Sequence, residues 1–303
     1  MRNTGSRMVA PRASALPARR SDRTATVGRV GKLTLDYVRQ GDRTVFHRTQ
    51  CQTPWHLFPP MYLDDSGSAY TLLVNPSGGL VGGDHLSIDL SVGPRAHVLI
   101  STPSANRVYR SLSQEAVQDV TITVGKAGIL EWLPEHTIPF AGSRFRQNIN
   151  VCLDTGATLI LWDAIASGRI AHGERWGFTS FHNHIQLTMP SGAAVREQYA
   201  LAPADTKDGV GLVDAWDYVG SLFIVGDAVS AARWTSLEGV LAEILESQPD
   251  RAVLGGVSQP SVPGVVVKLV ARSAPVMTQV VMELWAAVRQ VLWEMPAANL
   301  RKY

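Results

Sequence analysis

Four carboxylates stand on or beside apolar runs: Glu131 and Glu135 in Glu-Trp-Leu-Pro-Glu, Asp163 after Trp162, and Glu174 after Gly173. Paired carboxylates are what glycoside hydrolysis requires, one to protonate the leaving oxygen and one to attack or to activate water. A carbohydrate-active β-enzyme is therefore one reading. A carboxylate at a strand end equally serves as a solvated edge or a salt-bridge partner, here to Arg169 or Arg144, and that role needs no active site. His182 and His184 form an H-x-H; alternate residues of a strand share a face, so both imidazoles can approach one metal ion. They are weak metal candidates, because a third ligand is not legible beside them. The nucleophile elbow Gly-x-Ser-x-Gly is missing, so a Ser-His-Asp hydrolase is not indicated. Cys51 and Cys152 are far apart in sequence and belong to no C-x-x-C, which reads as reduced, buried thiols of a cytosolic protein.

The densest glycine cluster, Gly78, Gly79, Gly82 and Gly83, ends on Asp84. Such a cluster points to positive φ or to close backbone approach that a Cβ would block, with Gly82 or Gly83 the expected left-handed position. It does not cradle a phosphate. It matches neither G-x-x-x-x-G-K-[ST] nor G-x-G-x-x-G opening a helix, it lacks a lysine, and Asp84 brings negative charge where an anion would sit. Asp84 can instead pin the turn by accepting the backbone N–H groups of its own loop.

The elements that must position these residues are mostly strands. Leu86, Ile88, Leu90 and Val92 alternate with Ser87, Asp89 and Ser91, the period of a half-buried strand. Further strands are predicted at 33–38, 44–48, 69–74, 97–101, 117–124, 128–133, 147–153, 158–163 and 182–188, nearly all bounded by turn residues. A weak repeat of strand, glycine-containing turn and alanine recurs at Ala96, Ala127, Ala157 and Ala193. That period near thirty predicts hairpin units stacked in layers, each burying its face against its neighbours.

Two helices are predicted in the C-terminal third. The first opens on a capping box, Thr235-Ser-Leu-Glu238, with Leu237, Val240, Leu241, Ile244 and Leu245 on one face. The second carries Val276, Val280, Val281, Leu284, Trp285, Val288, Val291 and Leu292 on its apolar face, with Gln279, Glu283, Arg289 and Gln290 elsewhere. Between them lies a short apolar strand at 265–270.

The chain has 303 residues and is 45% apolar, enough for a large core. No apolar run is long enough to span a bilayer, so a soluble protein is expected. Residues 1–29 hold seven arginines and one acid and read as a disordered Arg/Ala/Ser/Pro-rich extension. Subtracting them from the net charge of +2 leaves a mildly acidic body, which argues against nucleic-acid binding. The expected organisation is one domain over 30–303: a β body at 30–211 and a small αβ portion at 212–303.

The run Asn75-Pro-Ser-Gly-Gly-Leu-Val-Gly-Gly-Asp84, followed by Ser101-Thr-Pro-Ser-Ala-Asn-Arg-Val-Tyr-Arg110, resembles the UreD (UreH) family of urease accessory proteins. Glu131–Glu135, Trp162-Asp163 and Ser167–Glu174 resemble further motifs of that family in the same order. Arg107 stands where lysine is more usual, and the last four residues lack the family's Pro-Arg-Ile-Trp ending. The resemblance implies a mainly β fold, a β-helix-like solenoid stack of strands with two α-helices. It also implies a non-enzymatic cytoplasmic scaffold that binds UreF-like and UreG-like proteins and apo-urease and assists nickel delivery. No tightly bound cofactor is implied, only nickel in transit. Family members are thought to pass the metal along buried acids, which nominates Asp84, Asp163 and Glu174, while Arg107, Tyr109 and Arg169 become partner-motif candidates.

Overall fold

The computed structural model describes residues 28–203, 216–249 and 252–300. The extension expected at 1–29, apart from its last two residues, lies outside the described residues, as does the boundary expected at 211/212.

In chain order the strands are β1 (Val30–Gln40), β2 (Arg43–Cys51), β3 (His56–Leu57), β4 (Ala69–Val74), β5 (His85–Val92), β6 (His97–Ser101), β7 (Asn106–Val108) and β8 (Ala116–Val124). They continue with β9 (Ile129–Leu133), β10 (Thr137–Pro139), β11 (Arg144–Leu153), β12 (Thr158–Ala166), β13 (Ser180–Thr188), β14 (Ala194–Leu201) and β15 (Tyr218–Gly226). Helix α1 (Ala231–Glu246), β16 (Val253–Ser258), β17 (Gly264–Ala271) and helix α2 (Ala274–Trp293) complete the order.

Two sheets face each other. One runs β14-β13-β11-β8-β5-β1-β2, and the other runs β16-β17-β15-β12-β9-β6-β4-β3. In the first, β5, β8, β11 and β13 are parallel, with Leu90 beside Ile122, Ile122 beside Val151, and Val151 beside Leu187. The repeat legible near thirty residues is therefore real. The unit at Ala193 is a hairpin, β13 and β14 pairing antiparallel in the first sheet, but the three units before it are not. Within each of those three units the two strands lie in opposite sheets and pair with the equivalent strands of a neighbouring unit, β5 with β8 and β6 with β9. A parallel coil of this kind is a solenoid-like stack.

The sequence patterns follow from which faces are covered. The first sheet buries only its inner face, so β5 and β11 alternate apolar and polar. The second sheet packs against the first on one face and the two helices on the other, and all nine residues of β12 are buried. A strand covered on both sides reads as a continuous apolar run. Cys152 takes an outward position on β11, and both cysteines are free and exposed rather than buried.

The C-terminal strands continue the second sheet. β15 pairs antiparallel with β12, and β17 with β15. Helix α1 begins one turn before the expected capping box. Ser230 is its N-cap, accepting from the Arg233 N–H, and the early start puts Trp234 on the buried face with Leu237, Leu241 and Leu245. Thr235 lies inside the helix and returns its hydroxyl to the Ala231 carbonyl.

In α2 the expected apolar face is buried, apart from the partly exposed Val276 and Val291, but it also contains Arg289, wholly buried at 0% exposure. Its Nη2 meets Asp64 at 2.9 Å and its Nη1 lies 3.4 Å from Glu131. Glu131, itself at 0% exposure, also accepts from the Trp285 indole and sits 2.6 Å from His97 Nε2. The helix is thus tied to the sheet by buried charge as well as by apolar contact.

Candidate functional site

Asp163 is the acid with the most unusual seat. Along β12, Leu159 and Leu161 face the inter-sheet core while Ile160 and Trp162 face the helices. The alternation carries Asp163 into the space between the sheets, where it is 8% exposed. It faces amides from the first sheet. Gln147 Nε2 donates to Oδ1 at 2.7 Å, and Asn183 Nδ2 donates to Oδ2 at 2.8 Å. Gln147 and Asn183 also bond each other at 3.0 Å.

These groups form a row. Gln118, Gln147, Asn183 and Tyr199 are successive partners across β8, β11, β13 and β14. Asp163, Ser221 and Lys268 are successive partners across β12, β15 and β17. The sandwich core is therefore interrupted by a polar layer. Burial raises the Asp163 carboxyl to about 6; the Gln147 hydrogen bond opposes that rise and the nearby Glu197 charge adds to it. Tyr199 is pushed well above its usual range, first by burial and then by the Asp163 and Glu197 charges.

Cavities lie on both sides of Asp163. One, about 110 Å³, is lined by Gly78, Gly79, Arg107, Glu135 and Gln147 as well as Asp163. The other, about 300 Å³, is lined by Asp163, Glu197, Tyr199, Ser221 and Lys268. Each has room for water beside polar groups.

The remaining nominated residues separate. Asp84 is buried as the clamp of its own turn, accepting the Val81 N–H at 2.9 Å and the Arg29 N–H at 2.8 Å. In that turn Gly83 has φ 90°, as expected of one of the pair, whereas Gly82 is needed because a Cβ there would run into Ser111. Glu174 is only partly buried and pairs with Arg169, whose guanidinium hydrogen bond holds the carboxyl at about 2. Neither Asp84 nor Glu174 lines the two cavities. Arg107, Tyr109 and Arg169 do come together, around a separate surface cavity.

The carboxylates considered for glycoside cleavage are dispersed in role. Glu131 is locked to α2 and Glu174 is in its ion pair, so only Glu135 and Asp163 share a cavity. His182 bonds Glu115 on the outer face of the first sheet at 3.1 Å. Among the described residues no group of three or more His, Cys, Asp or Glu side chains gathers to hold a metal.

Sequence reasoning missed the partners of Asp163. A signal existed: Gln147 and Asn183 occupy the inward phase of strands whose other inward residues are Phe145 and Ile149, and Phe181 and Ile185. Glu197 was hidden in β14, whose mixed polar sequence does not read as a strand.

The family described as UreD urease accessory protein matches residues 29–302. A urease accessory protein UreD of Polaromonas naphthalenivorans is 31% identical over 88% of this chain and 95% of its own length. One from Albidiferax ferrireducens is 32% identical over 89% of this chain and 96% of its own. A urease accessory protein UreD of Haloarcula marismortui is 29% identical over 91% of each chain.

Proposed function

The chain belongs to the UreD urease accessory protein family, and from that premise we propose that it is a non-catalytic scaffold of urease maturation. In this reading it binds a UreF-like protein, through it a UreG-like protein, and apo-urease, and it assists the passage of nickel to the urease active site. Nickel is its cargo.

The observation that carries the reading is the seat of Asp163, an acid between two cavities, bonded by two amides inside an otherwise apolar sandwich. A buried carboxylate is costly unless hydrogen-bonded, paired or hydrated. A hydrated path explains its retention. Nickel is a borderline cation that oxygen donors hold loosely compared with imidazole or thiolate, so a carboxylate flanked by amides passes it on. The two amides now donate N–H to Asp163; rotated, each presents a carbonyl oxygen to a cation. Asp163 is mostly ionised at pH 7 and protonates near pH 6, so delivery is expected to decline as pH falls through 6.

The test is co-expression of Asp163→Asn with urease and the UreF-like and UreG-like partners. The variant should co-purify with its partner while urease nickel content falls several-fold. Full nickel content, or loss of assembly before any loss of nickel, would overturn the passage. Asp84→Asn and Glu174→Gln ask whether the path extends beyond the two cavities; nickel loss in assembled complexes of either would carry it outward.

A further inference from the structure

The second cavity contains a charge that the passage does not explain. Glu197, on edge strand β14 of the first sheet, is 8% exposed and pairs with Lys268 of β17 in the second sheet. The ion pair thus bridges the two sheets beside Asp163. Its halves differ in freedom. Both Glu197 oxygens accept from the Ser221 hydroxyl, at 3.0 and 3.1 Å, so the carboxylate is held. The Lys268 side chain is 65% exposed and can swing into water on its flexible stem without leaving a void. Among the residues lining this cavity Lys268 is the cation.

We infer that Lys268 is a tethered gate: its ammonium occupies the Glu197 carboxylate at the second cavity, and a divalent cation passes there only by displacing it. The inference rests on the reading of Asp163 as part of a cation path. An ammonium offers one charge and hydrogen bonds, whereas a divalent ion offers twice the charge and direct coordination by the carboxylate oxygens. Because the ammonium is tethered, it returns once the ion has left and so prevents the two acids, Asp163 and Glu197, from trapping it. With its lysine end in water, the pair is held less firmly than a fully buried one and can open and close.

The experiment is calorimetric titration of nickel(II) at pH 7.5 into the chain co-purified with its UreF-like partner. Lys268→Met keeps the stem and removes the charge; it should bind nickel at least tenfold more tightly than the parent. Lys268→Arg, which keeps the charge, should match the parent. Glu197→Gln/Lys268→Met should lose the gain. Parental affinity in Lys268→Met, or a gain that survives in the double variant, overturns the gate. Failure of the passage is separately visible. If Asp163→Asn lowers urease nickel while Lys268→Met binds as the parent does, the path stands and the gate falls. If Asp163→Asn delivers nickel normally, the path falls whatever Lys268→Met does.

Discussion

Asp163 occupies a position that Leu161 and Leu159 fill one and two steps earlier on the same face, and its ionised form is correspondingly disfavoured. Its pKa rises from the ordinary 3.8 to about 6 in the folded chain. The folded state therefore binds this proton more tightly than the unfolded state, and the resulting stabilisation is complete below pH 3.8 and lost as pH rises through 6. Between pH 4.5 and 7.5 the loss amounts to about 2 kcal/mol. Asp163→Asn cannot ionise, so urea unfolding at the two pH values should show the variant gaining about 2 kcal/mol relative to the parent at the higher pH. An unchanged difference would mean that Asp163 is hydrated well enough to titrate normally. The Glu174–Arg169 pair belongs to the other extreme, a surface contact whose effect on stability is screened by solvent.

At the scale of elements, α2 is the piece whose attachment is most specific. Met277, Val280, Leu284, Val288 and Leu292 dock it by apolar burial, while Arg289 inserts between Asp64 and Glu131. Removing one member of a buried ionic set costs about 3 to 5 kcal/mol because the others lose their partner. Arg289→Met should therefore lower the unfolding free energy by roughly 3 kcal/mol. The double change Glu131→Met/Arg289→Met should cost less than the sum of its singles, since the apolar replacements no longer strand a charge. Additive losses in urea unfolding would show that Glu131 and Arg289 act independently.

For the molecule as a whole, the continuous second sheet decides what can fold alone. β15 covers the edge of β12, and β12 also presents Ile160, Trp162 and Ala164 to the helices. A fragment ending at residue 203 would expose that edge and that apolar face together, conditions that favour aggregation. Expressed alone, residues 28–203 should be insoluble or lack fixed side-chain packing by near-ultraviolet circular dichroism. A soluble fragment with a native-like spectrum would divide the chain into independent units.

The sequence by itself determined the kind of protein this is. Period-2 alternation marked strands with one solvated face, and the recurrence at Ala96, Ala127, Ala157 and Ala193 marked the stacking. These signals are local or strictly periodic, and the glycine and acid motifs that mark the family lie within short stretches. Tertiary structure alone decided that the first three units cross between sheets while the fourth closes as a hairpin, because alternation reports which residues face inward and not which strand lies beside them. It also decided the site. Gln147, Asp163, Asn183, Glu197 and Lys268 come from five strands, and each alone reads as a stray polar residue or, for Asp163, as half of a motif. Arg289 was assigned to the polar side for the same reason: a charged residue reads as exposed until its buried partners, Asp64 and Glu131, arrive from more than a hundred and fifty residues away. Partners distant in sequence leave no local pattern, so only the packed sheets could bring them into one layer.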